Sequence, residues 1–99
     1  MYGQLTTVEF ESTKQRKEAL VLLSESVQRI RVLPGFQAAY YLDVDELQIV
    51  VVAIFDSERD LDAIQEDDEE LRARAAQIGV RFPRTDRYPV VAFATSGAP

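Results

Sequence analysis

The chain of 99 residues contains no cysteine, no histidine, no tryptophan and no asparagine. Without cysteine, the protein has no disulfide, no thiolate metal site and no cysteine nucleophile. Histidine is the commonest general base near neutral pH and the commonest metal ligand. Its absence excludes Ser-His-Asp chemistry, haem ligation by imidazole and most transition-metal sites. We therefore expect a protein that carries neither a metal nor a cofactor.

Positive charge and long apolar runs are also scarce. The 17 acidic residues outnumber the 11 basic ones, and the net charge is −6. This balance argues against nucleic acid and against an anionic membrane surface, since both are bound through Lys and Arg. No apolar run approaches the roughly 20 residues of a membrane span, and no signal peptide opens the chain. We expect a cytoplasmic protein with one domain over residues 1–99.

The first half of the chain shows two clear periodicities. Alternating β-branched and aromatic residues predict a strand over residues 2–10. A helix is predicted over 13–33, because apolar residues recur there at helical spacing. Ser12 and Gln15 have the spacing of a capping box at its start. Pro34 ends it, since the residue before proline is pushed out of the α region.

Two further strands follow at once, over residues 36–44 and 47–55, with an acidic turn between them. The later strand is apolar on both faces, one of which carries Val50, Val52 and Ile54. A strand with two apolar faces is typical of the middle of a sheet that is covered on both sides.

A second helix is predicted from just after Ser57 to Gly79, a residue type that commonly ends helices. The acidic run at 66–70 could bend or interrupt this helix. Residues 80–87 are predicted to form a basic loop that either closes over an anionic ligand or pairs with the acidic helix. This loop carries Arg81, Arg84 and Arg87.

The last strand is predicted over residues 88–95, and Pro89 favours an edge position for it. We expect the tail 96–99 to be loose.

This order, strand–helix–strand–strand–helix–strand, predicts an α+β fold, the ferredoxin-like βαββαβ sandwich. Its four-stranded antiparallel sheet carries both helices on one face, and in the usual order 4-1-3-2 the third strand is central. The helices cover only one face of that strand. Leaving Val50, Val52 and Ile54 wet would be costly, at roughly 1.5–3 kcal/mol for each side chain. We therefore expect a homodimer that pairs through the sheet face.

Two short motifs carry a resemblance to a known family: Leu-Pro-Gly-Phe at residues 33–36 and Phe-Asp-Ser-Glu at 55–58. With the element order, they resemble the dimeric α+β barrel superfamily over residues 2–95, and within it the antibiotic-biosynthesis monooxygenase-like group. The resemblance implies a dimer whose two sheets form a barrel and a ligand cavity between sheet and helices. It also implies a cofactor-independent enzyme, a monooxygenase or an isomerase, that acts on an aromatic or quinone-like substrate. Haem-degrading relatives use Asn, Trp and His, which this chain lacks.

Of the residues associated with such pockets, only tyrosine and arginine can be carried over. Tyr40 and Tyr41 point to opposite faces of their strand, so one of them should face the helices and orient or deprotonate the substrate. Arg31, at the edge of the first helix's apolar stripe, would stabilise the resulting anion, which reacts with oxygen. The candidate catalytic residues are thus Tyr40, Tyr41 and Arg31, and the candidate substrate-binding residues are Ser24, Phe36, Asp68 and Tyr88.

Each candidate also has a purely structural interpretation. A tyrosine on an apolar face is often a core residue with a bonded hydroxyl. Arg31 can lay its stem over apolar surface, and Asp68 can belong to a solvated acidic face. Tyr2, Gln4 and Thr6 share one face of the first strand, and either line the pocket or contact a partner subunit. The alternative function is a non-catalytic dimeric module that binds a small molecule or another protein.

Overall fold

The computed structural model describes residues 1–67 and 69–94, and within them it has four strands and three helices. In chain order these are β1 (Tyr2–Glu9), α1 (Thr13–Ile30), β2 (Phe36–Asp45), β3 (Gln48–Phe55), α2 (Glu58–Asp67), α3 (Glu69–Gln77) and β4 (Arg81–Pro89). The predictions for Asp68 and for the tail 96–99 lie outside the described residues.

The four strands form one antiparallel sheet in the order β2-β3-β1-β4, which confirms the predicted order. β3 lies between β2 and β1, and β4 forms an edge. Side chains from all three helices pack against the same face of β1 and β3. The fold is therefore the predicted ferredoxin-like α+β sandwich.

The start of α1 follows the predicted capping pattern. Ser12 has an extended backbone, and its Oγ accepts a hydrogen bond from the Gln15 backbone N–H at 3.2 Å. The Gln15 side chain reaches back to the N–H of Glu11, at 2.7 Å, one residue earlier than in a standard capping box. The helix ends at Ile30, three residues before the predicted end at 33. Gly35 then turns the chain into β2 with φ of +82°, a value that glycine adopts without strain.

The range predicted for the second helix contains α2, described up to Asp67, and α3, described from Glu69. The prediction that the acidic run at 66–70 bends or interrupts this helix falls on residue 68, which lies outside the described residues. The start of α2 carries a cap formed by Ser57 and Asp60. Ser57 Oγ accepts from the Asp60 backbone N–H at 3.2 Å and donates to Asp60 Oδ2 at 3.0 Å.

The predicted bounds of the last strand were wrong. Residues 80–87 were expected to be a loop, yet β4 runs from Arg81 to Pro89 and pairs with β1 along its length. An edge strand has one free side and is less buried, so it tolerates the polar residues and prolines that indicated a loop. Its predicted edge position is confirmed.

The core between sheet and helices has two adjoining clusters. One surrounds Val8, and the other surrounds Phe55 and Leu61, all three of which are fully buried. Phe36 meets Phe55 edge to face, with ring centroids 5.5 Å apart. Among the described helices, none has the length and apolar character needed to cross a membrane.

Candidate functional site

A cavity of about 70 Å³ lies between the sheet and the helices. Its walls come from all four strands and from the inner faces of the helices, and most of the side chains are apolar. Such a mostly apolar cavity with a few polar groups is the usual form of a small-molecule site. The polar side chains on its walls are Gln4, Thr6, Ser26, Tyr41 and Arg72.

Gln4 is the most constrained of these groups. Its residue is only 3% exposed, and its Oε1 accepts a hydrogen bond from Arg87 Nε at 2.9 Å. Arg87 in turn donates from Nη1 to Asp62 Oδ1 at 2.7 Å. A chain of polar contacts therefore links Asp62 on α2, through β4, to the cavity wall on β1.

Tyr41 is the tyrosine that faces the helices. Its hydroxyl donates a hydrogen bond to the main-chain carbonyl of Leu23 in α1, so it anchors β2 to that helix while its ring lines the cavity. Tyr40 lies on the opposite face of the sheet and is 53% exposed.

Arg72 brings a positive charge to the wall formed by α3. The side chain is half-buried, and its guanidinium carbon lies 5.1 Å from the centroid of the Phe82 ring. A cation at this distance over an aromatic face is held by the ring quadrupole. Arg72 is the cationic side chain among the lining residues.

The other predicted site residues lie away from this cavity. Ser24 is exposed, and Arg31 is an exposed residue at the end of α1 whose Nη1 donates to Gln28 Oε1 at 3.2 Å. Phe36 is half-buried against the core, and Tyr88 is exposed on the far side of the sheet. Asp68 lies outside the described residues. Of the predicted candidates that the structure describes, Tyr41 is the one that lines the cavity.

Sequence reasoning missed Arg72 and left Gln4 and Thr6 undecided. The structure places both β1 residues on the cavity wall. Arg72 follows Leu71 in the apolar stripe of α3, a position that could have indicated an inward arginine. The neighbouring acidic run favoured a solvated face instead. Over residues 1–67 and 69–94, no group of three or more Asp or Glu side chains is arranged to hold a metal ion.

The face of the sheet opposite the helices, here called the open face, is apolar, with half-buried side chains on β3 and exposed ones on β1 and β2. Its central row runs across the strands through Tyr40, Val52 and Leu5. Along β4 the open face becomes polar, because Arg84 forms an ion pair with Asp86. That carboxylate raises the pKa of the Arg84 guanidinium.

No family model and no curated protein sequence matches this chain. Solved structures do match. The chain is similar to a provisionally named antibiotic biosynthesis monooxygenase from Nitrosomonas europaea, with a TM-score of 0.79 and 14% identity over 93% of this chain and 100% of that one. A second protein with that provisional name, from Deinococcus radiodurans, gives a TM-score of 0.83 and 12% identity over 96% of this chain and 97% of that one.

A dimeric ferredoxin-like protein from an uncultured marine organism gives a TM-score of 0.72 and 18% identity, over 96% of this chain and 99% of that one. At these identities the likeness shows the fold. The chain has a ferredoxin-like α+β fold, and the solved structures that it resembles include two proteins with the provisional name antibiotic biosynthesis monooxygenase.

Proposed function

We propose that this protein is a homodimeric enzyme that oxidises a small phenolic or quinone-like substrate with dioxygen and without a cofactor. The observation that carries the proposal is the helix-side cavity, whose apolar walls hold an inward arginine, a buried glutamine amide and a tyrosine. The names of the structural neighbours agree with an oxygenase. We place the protein in the cytoplasm as part of the same proposal.

Arg72 takes the role that the sequence assigned to Arg31, because Arg31 lies outside the cavity. A guanidinium beside a phenol favours the anionic form of the ring oxygen. The electron-rich anion adds dioxygen at a ring carbon, and loss of water from that adduct leaves a quinone. One oxygen atom enters the product, and the other leaves as water with two hydrogens from the substrate. Tyr41 contributes a ring against which the substrate packs.

The homodimer is the second part of the proposal. It is supported by the apolar open face, which the helices do not cover, and by the dimeric ferredoxin-like structure that this chain resembles. Two open faces packed together would bury the central row of each sheet.

Oxygen uptake with simple phenols and naphthols tests the enzyme. We expect one equivalent of quinone for each equivalent of dioxygen, and a loss of at least about tenfold in kcat/KM for Arg72→Met, since a charged hydrogen bond is worth about 1.5–3 kcal/mol. The matched control is Arg74→Met, because Arg74 lies on the same helix but pairs with Glu25 at 3.0 Å. Full activity in Arg72→Met would contradict the assigned role.

A non-catalytic binding module is the second candidate, and the size of the cavity favours it. Ligand pockets usually measure about 300–1,000 Å³, and an engineered cavity that binds benzene measures about 150 Å³. The cavity here is about 70 Å³, so an aromatic ring enters only if the helical wall moves outward. Binding of phenols without oxygen uptake would select this candidate.

A further inference from the structure

We infer that Asp62 and Arg87 orient the Gln4 side-chain amide so that its NH₂ group faces the cavity and selects ligands that present an acceptor oxygen. This inference rests on the proposed small-molecule site and deepens it. Gln4 would be the residue that determines specificity, and Arg87 and Asp62 would be positioning residues that act through it.

The orientation of the amide follows from the chemistry of its neighbour. A guanidinium group has only donors, so whatever faces it must accept. Arg87 Nε lies 2.9 Å from the Gln4 side chain, and only the carboxamide oxygen can accept there. The NH₂ group, bonded to the same carbon, must then point away from Arg87.

The NH₂ group has no hydrogen-bond acceptor among the residues that the structure describes, although Gln4 is 3% exposed and lines the cavity. A buried donor without a partner is unfavourable. A ligand with a carbonyl, phenolate or carboxylate oxygen would satisfy it, whereas an apolar ligand would leave it unpaired. Because Arg72 adds a positive charge to the α3 wall of the same cavity, an anionic oxygen is the favoured acceptor.

Asp62 completes the arrangement by holding Arg87. Its carboxylate accepts from Arg87 Nη1 at 2.7 Å, while Nε of the same guanidinium reaches Gln4. The two donors lie on one planar group, so fixing one hydrogen bond fixes the direction of the other. The carboxylate on α2 thereby sets the position of an amide on β1.

The first experiment uses the free protein and needs no ligand. The chain has seven glutamines and no asparagine, so its ¹⁵N spectrum contains few side-chain NH₂ pairs, and Gln4→Met identifies the pair of interest. We expect cross-relaxation from the Gln4 NH₂ protons to methyl groups of the cavity wall such as those of Val51. We also expect slow exchange with solvent, which Arg87→Met accelerates. An NH₂ group that instead contacts β4 or exchanges as fast as exposed glutamines would overturn the proposed orientation.

The second experiment measures selectivity with two probes of similar shape, phenol and toluene. The readout is the ratio of their dissociation constants, because general loosening of the cavity would change both alike. We expect Gln4→Met and Arg87→Met each to reduce the preference for phenol by about 3- to 10-fold, the equivalent of one net hydrogen bond. The double variant should lose no more than either single variant, since both changes act through one NH₂ group.

Glu25→Ala is the matched control, because it breaks the ion pair to Arg74 without touching Gln4, and its ratio should equal that of the wild type. An unchanged ratio in Arg87→Met, or additive losses in the double variant, would overturn the positioning role. If neither probe binds, the proposed small-molecule site fails and the selection of a phenol oxygen fails with it. The amide spectrum then still decides whether Asp62 and Arg87 orient Gln4.

Discussion

The open face offers the sharpest test of the proposed dimer, through the change Val52→Asp. Val52 lies on the central strand β3, paired with Leu5 of β1 on one side and with Tyr40 of β2 on the other. In a face-to-face dimer with two-fold symmetry, this row from each subunit lies near the middle of the interface. The substituted carboxylate would therefore be buried without a partner, and twice in each dimer.

We expect Val52→Asp to raise the dissociation constant of the dimer by a large factor. A buried charge without a counter-ion costs several kcal/mol after relaxation, so a modest value of about 3 kcal/mol for each chain gives about 6 kcal/mol for each dimer. At about 1.4 kcal/mol for each factor of ten, the dissociation constant of the dimer rises by about 10⁴-fold. A dimer that is stable at nanomolar concentration would then dissociate at micromolar concentration.

Sedimentation equilibrium measures the change directly. The wild type should give twice the chain mass of 11.2 kDa, and Val52→Asp should give the chain mass, with circular dichroism showing that the monomer remains folded. Leu42→Asp, at a site that is already 51% exposed on the open face, is a milder variant that should also weaken the dimer. Val21→Asp, on α1 and 61% exposed, is the control and should leave the dimer intact. A wild type that is monomeric at micromolar concentration, or a Val52→Asp dimer, would refute the reasoning.

Three stability predictions follow from the fold, each checked by urea denaturation. Leu61→Ala empties a fully buried site and should cost about 2–5 kcal/mol, whereas Leu20→Ala, which is exposed, should cost far less. Gly35→Ala should destabilise the protein by about 1–3 kcal/mol for the positive φ alone. The new Cβ would also collide with the Asp60 side chain, so adding Asp60→Ala should recover part of the loss. Ser12→Ala removes the N-cap of α1 and should lower the free energy of unfolding by about 1 kcal/mol. A decrease below about 0.3 kcal/mol would refute the cap's contribution, because caps usually contribute more.

The parts of the fold that could be predicted from sequence are those whose burial is periodic. β3 is apolar on both faces because one face meets the helices and the other is the open face, so its central position could be inferred. β4 has no such pattern. It pairs with β1 alone, its side chains are mostly polar, and its hydrogen bonds to β1 leave no signature in the residue types. Only the tertiary pairing shows that residues 81–87 belong to a strand.

The site was harder to predict because it depends on which side chain faces inward. Periodicity correctly indicated that one of two adjacent tyrosines faces the helices, and this is Tyr41. It could not show that Arg31 lies beyond the end of α1, since the helix was expected to continue to residue 33. Arg72 was hidden because the neighbouring acidic run favoured a solvated face. The hydrogen bond that orients Gln4 joins it to Arg87, 83 positions away in the sequence.

The two sides of the cavity are held by different forces, which bears on how a ligand would enter. The sheet side is a hydrogen-bonded wall that a second subunit would support from behind. The helical side is held by apolar packing, by the Tyr41 hydrogen bond to Leu23 and by two ion pairs near the surface, Arg87 to Asp62 and Arg74 to Glu25. Exposed ion pairs contribute only about 0–1 kcal/mol each and weaken with salt. Because an aromatic ring needs more room than the cavity now has, the helices are the wall that moves. Salt should then speed ligand entry and leave an apolar dimer intact.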